Sequence, residues 1–369
     1  MLSLILHVVG ARPNFMKAAP VIRALHARSV PQMLVHTGQH YDERMSDIFF
    51  RQLEMPRPDV NLEVGSGSHA VQTAEIMVRF ERVVQEHQPG WVMVYGDVNS
   101  TVACALVAAK LGVRIAHVEA GLRSFDRSMP EEINRVLTDR ISDLLFTPSE
   151  DGDANLLHEG IRADQIHRVG NCMIDTLVRL LGKAQDPRVP GLDGAYALVT
   201  LHRPSNVDEP HRLAEITAAL DRLGQRIRVV FPIHPRTRKR MADSGLQPAN
   251  PARVVLIEPQ GYLEFLWLQQ HARFILTDSG GIQEEATYLG VPCLTMRENT
   301  ERPITCTTGT NILVGQDMDR VREQADRILD GHGKTGRIPP LWDGKAGERI
   351  AEVMVGLESG TTDYADGRG

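Results

Sequence analysis

Short apolar segments alternate with longer amphipathic segments along the whole chain. Continuous runs of Val, Ile and Leu, in contrast to strict alternation, are typical of parallel strands covered on both faces. The segments expected to be strands are 2–9, 33–38, 91–97, 113–121, 143–149, 196–202, 228–234, 253–259 and 273–279. This repetition of strand and helix predicts an α/β fold in which helices cover both faces of a parallel sheet.

The pattern breaks at residues 183–196, which are rich in Pro, Gly and Asp and have little periodicity. A chain of 369 residues is long enough for two domains of ordinary size. We therefore expect an N-terminal Rossmann-like domain over 1–182, a C-terminal one over 183–359, and a tail over 360–369. The helix near 345–358 is expected to pack back on the first domain. The expected fold class is α/β, with two doubly wound parallel-sheet domains that face each other across a cleft.

Charge and cysteine usage narrow the class of protein. The net charge is −6 with a pI near 6.2, and there is no long basic run, which argues against nucleic acid as the main partner. The apolar N-terminus lacks the basic start of a signal peptide, and no segment has the length of a membrane span. Four scattered cysteines without a CxxC pair indicate buried thiols in a reducing compartment and no zinc site. We expect a cytoplasmic protein.

The segment FILTDSGGIQEEATYLG (274–290) carries the most specific pattern in the chain. A short apolar strand ends at a turn containing Ser279, Gly280 and Gly281, and a helix with Glu285 follows. Glycines before a helix let backbone N–H groups approach an anion, and the helix dipole favours negative charge there. The pattern predicts a diphosphate site with a carboxylate for ribose hydroxyls. A tight strand-to-helix turn without a ligand is the alternative.

Cations follow other strand ends. Arg12 and Lys17 lie at the start of the first predicted helix, where positive charge is unfavourable unless an anion is present. They are expected to neutralise a phosphate, the alternative being a solvated basic turn. Arg302, in MRENTERPIT, is a further candidate phosphate contact.

Three carboxylates and a histidine are candidate acid/base groups. Asp97 and Glu119 directly follow predicted strands, whose carboxyl ends face the ligand in open α/β sheets. Asp97 could instead cap the next helix, and Glu131 could pair with Arg135 four residues on. Clustered carboxylates raise at least one pKa, as acid/base catalysis near neutral pH requires. His202 ends another predicted strand and could meet a leaving phosphate.

The motifs GARPNFMK, YGDVNST, HVEAGLRS, PEEINR, DSGGIQEE and TERP, in this order, resemble the non-hydrolysing UDP-N-acetylglucosamine 2-epimerases. The resemblance extends from residue 8 to about residue 315. It implies the GT-B arrangement of two Rossmann-like domains, a homodimer, a UDP-sugar substrate, and no cofactor or metal. The family interconverts UDP-N-acetylglucosamine and UDP-N-acetylmannosamine through elimination and re-addition of UDP.

The resemblance also assigns roles to residues of this chain. The catalytic positions that it implies are Asp97, Glu119, Glu131 and His202. The UDP-sugar contacts that it implies are Arg12, Lys17, Gln260, Phe265, Ser279, Gly280, Gly281, Glu285 and Arg302.

Two segments depart from the family pattern. Residues 202–206 read His-Arg-Pro-Ser-Asn where the family usually has His-Arg-Arg-Glu-Asn. Residues 39–45 are longer than the segment that the family links to activation by a second substrate molecule. The forms HTGQHYDERMSDIFF and AGLRSFDRSMPEEINR resemble the branch that acts on UDP-2,3-diacetamido-2,3-dideoxyglucuronate, which is the alternative substrate. A hydrolysing epimerase, a GT-B glycosyltransferase and a non-catalytic nucleotide-sugar sensor are further alternatives.

Overall fold

The structure is a computed structural model, and it describes residues 2–39, 52–190, 192 and 194–358. Within these ranges no helix is both long and apolar enough to cross a membrane. The predicted tail 360–369 and residues 40–45 of the departing segment lie outside the described residues.

Contacts divide the described residues into two units. The N-terminal unit extends to Thr176 and resumes at Pro340, while the central unit is Leu177–Pro339. The N-terminal unit is therefore built from two segments that are far apart in sequence.

The N-terminal unit contains a parallel sheet of seven strands. The strands are Ile5–Val9 (β1), Gln32–His36 (β2), Val60–Asn61 (β3), Trp91–Tyr95 (β4), Arg114–Val118 (β5), Leu144–Thr147 (β6) and Ile166–Arg168 (β7). Their order in the sheet is β3-β2-β1-β4-β5-β6-β7, with Ile5 paired to Gln32 on one side and to Trp91 on the other. All five residues of β1 and of β4 are buried, which explains their continuous apolar sequence.

Helices cover this sheet. They are Arg12–His26 (α1), His69–His87 (α2), Asn99–Lys110 (α3), Pro130–Ile141 (α4), Glu150–His158 (α5) and Cys172–Leu181 (α6). The α3 helix packs against both α2 and α4, and its small residues Ala103, Cys104 and Ala105 are fully buried. Phe80 of α2 and Leu6 of β1 belong to the same apolar core.

The central unit repeats this architecture with six parallel strands. They are Tyr196–Thr200 (β8), Arg228–Pro232 (β9), Val254–Ile257 (β10), Phe274–Thr277 (β11), Cys293–Thr295 (β12) and Asn311–Leu313 (β13). The order is β10-β9-β8-β11-β12-β13. The helices are Pro204–Val207 (α7), Pro210–Arg226 (α8), Pro235–Asp243 (α9), Tyr262–His271 (α10), Gly280–Leu289 (α11), Pro303–Thr307 (α12) and Met318–Leu329 (α13).

The last helix of the described chain, Ala346–Glu358 (α14), packs against α1 in the N-terminal unit. Its start is bound by a buried carboxylate, since Asp175 accepts the N–H groups of Ala346 at 3.0 Å and Gly347 at 2.7 Å. Ahead of the helix, the Trp342 Nε1 donates to the carbonyl of Pro148 at 2.9 Å. These contacts join the two distant segments of the unit.

The predicted fold class, two Rossmann-like parallel-sheet α/β domains, is confirmed. Each predicted strand is present, although several end earlier than predicted because polar turn residues follow them; the segment 91–97, for example, is a strand only over Trp91–Tyr95. Four strands were not predicted, namely β3, β7, β12 and β13, and each has only two or three residues.

Candidate functional site

The carboxyl ends of β1, β4 and β5 hold the candidate residues of the N-terminal unit. The strand order reverses direction at the β1–β4 pair, which is the position where open α/β sheets bind ligands. The α1 helix follows β1 and carries Arg12 and Lys17. Asp97 comes two residues after β4, and Glu119 comes directly after β5.

Lys17 and Glu119 form a buried ion pair. The Lys17 Nζ contacts the Glu119 Oε2, and the two side chains are only 7% and 8% exposed. A Cβ atom at Gly96 would lie 2.6 Å from the Lys17 Nζ and 3.3 Å from the Glu119 Oε2, and the Gly96 φ is +64°. The turn after β4 therefore requires glycine, both for its backbone and for the space that the ion pair occupies.

The backbone of Glu119 is in the left-handed region, with φ at 73°. For a residue with a Cβ atom this conformation costs about 1–3 kcal/mol, and such residues cluster at functional sites. The N–H groups of Glu119 and Ala120 both donate to the carbonyl of Phe146 at 3.0 Å, which holds the strained turn.

Asp97 pairs with Arg135 of α4 through the Asp97 Oδ2. In addition, the Asn134 side chain donates to the Asp97 carbonyl at 2.9 Å. The alternative that Asp97 caps the next helix is wrong, because α3 starts at Asn99 and Val98 occupies its cap position. The carboxylate of Asp97 is instead bound by the guanidinium of Arg135.

Glu131 and Glu132 have different environments at the start of α4. Glu131 is exposed, whereas Glu132 is buried and accepts the N–H groups of Ser124 at 2.9 Å and Phe125 at 2.8 Å. The ion pair to Arg135 that was expected from Glu131 is made by Glu132, three residues before it. Burial alone would raise the pKa of Glu132, but the Ser124 N–H group and Arg135 lower it.

Asn14 ties the β1–α1 turn to the neighbouring strand. Its Oδ1 accepts the N–H groups of Gly10 at 3.1 Å and Ala11 at 3.0 Å, and its Nδ2 donates to the carbonyl of Tyr95 at 2.7 Å. Arg12 follows as the exposed first residue of α1. The turn that presents Arg12 is thus held in place by a side chain that sequence reasoning did not single out.

In the central unit, His202 is bound by Asp278. The two follow the adjacent strands β8 and β11, and the His202 Nδ1 lies 3.0 Å from the Asp278 Oδ1. Asp278 is fully buried and also accepts from the Arg203 N–H at 2.9 Å and the Asn206 Nδ2 at 3.0 Å. Burial alone would raise the pKa of Asp278, but these hydrogen bonds lower it. The Nδ1 proton of His202 is therefore directed to Asp278, which fixes the ring orientation.

The Gly-Gly turn begins α11, with Ser279 at its cap position. A Cβ atom on Gly280 would lie 2.5 Å from the Arg302 Nη1 and 2.9 Å from the Glu301 Oε1, so a side chain there would displace the guanidinium. Arg302 is buried and pairs with Glu284, at 3.0 Å, and with Glu301. The structure thus places a positive guanidinium beside the helix start that carries Gly280 and Gly281.

Three further predicted residues of the central unit lie on or near α10 and α11. Glu285 is buried and accepts from the Tyr262 hydroxyl at 3.0 Å and from the Gln269 Nε2. Phe265 is half-buried against an apolar core cluster. The Gln260 Nε2 donates to the Glu258 carbonyl at 2.7 Å. Glu285 is therefore fixed in place by two neutral donors.

Sequence reasoning missed the buried polar residues that position the candidates. Asn14, Glu132, Asp139 and Asp278 are all less than 3% exposed, and each bonds to a turn or side chain of the site. A signal existed for α4, where Glu132, Arg135 and Asp139 recur on one helix face. Among the described residues, no group of three or more His, Cys, Asp or Glu side chains has a metal-site arrangement.

Two Rossmann-like domains with a Gly-Gly helix start and polar strand ends are the features of proteins that bind the phosphates of a nucleotide. Comparison with known proteins specifies the class further. The chain belongs to the UDP-N-acetylglucosamine 2-epimerase family, whose sequence model matches residues 23–355.

Relatives in this family are similar over nearly their whole length. The chain is 45% identical to the UDP-N-acetylglucosamine 2-epimerase of Methanocaldococcus jannaschii, covering 94% of this chain and 98% of that protein. It is 44% identical to the UDP-2,3-diacetamido-2,3-dideoxy-D-glucuronate 2-epimerase of Pseudomonas aeruginosa, covering 96% and 99%. The crystal structure of the M. jannaschii enzyme in complex with UDP-N-acetylglucosamine and UDP matches with a TM-score of 0.87, covering 95% of this chain and 99% of that one.

Proposed function

We propose that this protein is a non-hydrolysing UDP-N-acetylglucosamine 2-epimerase, which interconverts UDP-N-acetylglucosamine and UDP-N-acetylmannosamine. The observation that carries the proposal is the pair of carboxylates, Asp97 and Glu119, on neighbouring strand ends, in a chain 45% identical to an enzyme of that name. Each carboxylate is paired with a cation, Arg135 or Lys17, and so is held at a defined position.

The chemistry required of these residues is general acid/base catalysis with a diphosphate leaving group. The C2 hydrogen of the sugar has no adjacent carbonyl, so its direct removal as a proton would be very costly. When the C1–O bond breaks, its electron pair leaves with UDP and positive charge develops at C1. A carboxylate then takes the C2 proton, and the C–H electron pair forms the C1=C2 double bond of a 2-acetamidoglucal. Protonation of C2 on the opposite face and return of UDP to C1 complete the inversion.

We assign the proton transfers to Asp97, Glu119 and Glu131, and His202 to the departing phosphate. Arg12, Lys17 and Arg302 are proposed to neutralise the diphosphate, because preorganised positive charge stabilises a developing anion. The N–H groups at Ser279, Gly280 and Gly281 are proposed to bind it as well, with Glu285, Gln260 and Phe265 completing the UDP contacts. Substitution of Arg302 by alanine is then expected mainly to weaken UDP binding.

Proton NMR of the purified protein with UDP-N-acetylglucosamine in deuterated water tests the function. Formation of UDP-N-acetylmannosamine with deuterium at C2, and without accumulation of UDP, is expected. Accumulation of UDP with free N-acetylmannosamine would indicate a hydrolysing enzyme. Absence of exchange and of product would contradict the proposal for this substrate.

The diacetamido-uronate is a second candidate substrate, because the P. aeruginosa relative that bears its name is 44% identical to this chain. The two UDP-sugars should be compared in the same assay by their kcat/KM values. If kcat/KM is about 100-fold or more higher for one UDP-sugar than for the other, the difference in transition-state binding is roughly 2.7 kcal/mol. That result would identify the substrate.

We further propose a homodimer in the cytoplasm. Four large apolar side chains on the two helices that flank α3 are strongly exposed, namely Val71 and Val78 of α2 and Ile133 and Leu137 of α4. Several large apolar side chains exposed on neighbouring helices suggest an interaction site. The cytoplasmic location is supported by the free thiols, three of them buried, which suit a reducing compartment.

A further inference from the structure

A chain of hydrogen-bonded polar side chains, buried except at its last member Glu159, lies next to the turns that carry Asp97 and Glu119. The His117 Nδ1 is 2.6 Å from the Asp139 Oδ1, and the Asp139 Oδ2 is 2.7 Å from the Arg123 Nη1. Arg123 in turn forms a bidentate pair with Glu159, at 2.7 Å for both oxygens. His117 and Asp139 are fully buried. The activity proposed above does not use this cluster directly.

The partners of His117 determine where its protons are. The His117 Nε2 lies 2.8 Å from the carbonyl oxygen of Gly96, which can only accept, so Nε2 carries a proton. A proton must also lie between Nδ1 and the Asp139 carboxylate, since two lone pairs would repel at this distance. Both ring nitrogens of His117 are thus hydrogen-bonded, Nε2 to Gly96 and Nδ1 to Asp139.

This chain connects the two turns that carry Asp97 and Glu119. Gly96, the acceptor of the His117 Nε2, directly precedes Asp97. The Asp139 Oδ2 accepts the N–H of Gly121 at 3.1 Å, two residues after Glu119. The Asp139 carboxylate therefore binds the turn after β5 directly. It binds the turn after β4 through the His117 ring.

The turn after β5 needs such a restraint. Glu119 is in a left-handed backbone conformation, which persists only where surrounding contacts determine it. The hydrogen bond from Gly121 to Asp139 holds the turn after Glu119, and His117, in β5 two residues before Glu119, contacts the same carboxylate. Loss of the hydrogen bond from Gly121 to Asp139, or of the contact between His117 and Asp139, would let the backbone relax and move the Glu119 carboxylate.

We propose that His117, held by Asp139, is a positioning residue of the epimerisation, which fixes the Asp97 and Glu119 turns relative to each other. The proposal rests on the acid/base function assigned above to these two carboxylates. Proton transfer requires close placement of each carboxylate at the sugar C2, and a shift of about 1 Å can cost roughly 100-fold in rate.

Two substitutions of His117 separate its contacts. In His117→Gln the amide nitrogen replaces Nε2 and keeps the hydrogen bond to Gly96, while the contact with Asp139 is lost. In His117→Asn the amide nitrogen replaces Nδ1 and keeps the contact with Asp139, while the hydrogen bond to Gly96 is lost. Asp139→Asn keeps the shape of the side chain, and its amide can donate to a neutral His117.

His7→Gln is the matched control, because His7 is also a fully buried histidine of this sheet. Its two ring nitrogens bond to the Tyr95 hydroxyl at 2.6 Å and the Gln32 Oε1 at 2.9 Å. The control should lose stability without losing turnover by the folded fraction.

Steady-state kinetics below the unfolding temperature of each variant test the proposal. His117→Asn should lower kcat about 10- to 100-fold and change KM less than about threefold, because placement is lost and binding is not. His117→Gln should show a similar loss, because it breaks the link between the two turns at Asp139, whereas Asp139→Asn, which can still bond to His117, should retain more of kcat. A His117→Asn enzyme with the kcat of the His7→Gln control would overturn the proposal.

Amide hydrogen exchange supplies a readout that does not depend on the substrate. His117→Asn should speed exchange at residues 96–98 at least about tenfold more than His7→Gln does, because only the former loses the hydrogen bond that holds the turn after β4. Equal exchange in the two variants would refute the positioning role. Inactivity of the wild-type protein on both UDP-sugars would instead refute the proposed function, while the exchange data would still decide on His117.

Discussion

Glu119 and Asp97 are bound by cations of different kinds. The partner of Glu119 is the ammonium of Lys17, a point charge on a flexible chain. The partner of Asp97 is the planar guanidinium of Arg135, which Glu132 holds from its other side. Lys17 can therefore leave Glu119 and bind a diphosphate more readily than Arg135 can leave Asp97, because Arg135 is held by two carboxylates, Asp97 and Glu132. The two carboxylates are not equivalent, although the sequence presents both as polar ends of strands.

Neutral replacement of either carboxylate should abolish turnover. In Glu119→Gln and Asp97→Asn the proton acceptor is lost while the volume is kept, so kcat should fall about 100- to 10,000-fold. UDP should still bind, because the proposed diphosphate contacts of the central unit remain. Stopped assays of epimer formation and calorimetric titration with UDP measure the two properties.

The control for these variants is Glu86→Gln, on the exposed side of α2. It removes one negative charge from the same unit and should leave kcat unchanged. Turnover at the level of this control in both carboxylate variants would refute the acid/base assignment.

Sequence reasoning found the residues at strand ends, since chain order alone places Asp97, Glu119 and His202 there. It did not find Asp139 or Asp278. Their partners are distant in sequence: Gly121 lies 18 residues from Asp139, and His202 lies 76 residues from Asp278. The sheet must form before these groups meet. The local pattern can therefore place Asp139 on the polar face of α4, but it does not show what Asp139 or Asp278 binds.

At the scale of elements, the helix α4 is amphipathic, but its polar face is buried and its apolar face is exposed. Its buried face is polar and carries Glu132, Arg135 and Asp139, whereas Ile133 and Leu137 are each 47% exposed. The usual assignment of apolar residues to the core would therefore rotate this helix incorrectly. The polar face positions the site, which leaves the apolar face for another partner.

The helix α14 depends on a carboxylate that is costly to ionise. Burial raises the pKa of Asp175 to about 6, against the opposing effect of the Gly347 and Ala346 N–H groups. Because the folded-state pKa is above the unfolded value of 3.8, the group adds stability below about pH 4 and loses it as the pH rises through about 6. At about 1.4 kcal/mol per unit, the loss is about 3 kcal/mol.

Comparison with Asp175→Asn isolates this effect, because asparagine does not ionise. The free energy of unfolding of the wild type minus that of Asp175→Asn should fall by about 2.4 kcal/mol between about pH 4 and pH 7. Urea unfolding measures it, with Asp319→Asn at an exposed site as the control for loss of an aspartate. A difference that is constant over this range would contradict the shifted pKa.

The unpredicted strands show why part of the fold is not visible in sequence. The β3 strand has two residues, Val60 and Asn61, and its only described ladder is with β2. The strands β12 and β13 have three residues each, too few for a periodic pattern. Their conformation follows from pairing with a longer neighbour and not from local propensity, so only the assembled sheet defines them.

At the scale of the whole molecule, the apolar surface of α2 and α4 should mediate self-association. Leu137→Glu places a charge on this surface and should shift a dimer towards monomer, because an unpaired charge is costly to bury. Light scattering after size-exclusion chromatography, over a range of protein concentrations, measures the mass.

Leu157→Glu is the matched control, since Leu157 is 51% exposed on α5, outside the α2–α4 surface. It should leave the mass of the wild-type assembly unchanged. Equal masses for Leu137→Glu and the wild type would locate the interface elsewhere, and a monomeric wild type would refute the homodimer.

The left-handed backbone at Glu119 has a consequence for anyone who redesigns this protein. Glycine would adopt this φ without the Cβ penalty of about 1 kcal/mol, but it would also leave the buried Lys17 ammonium without the Glu119 carboxylate, which typically costs about 3–5 kcal/mol. Relief of the backbone strain alone would therefore not stabilise the protein, and on the function proposed above the variant would be inert. At position 119 the backbone favours glycine and the buried ion pair requires the carboxylate, and the ion pair is the larger of the two effects.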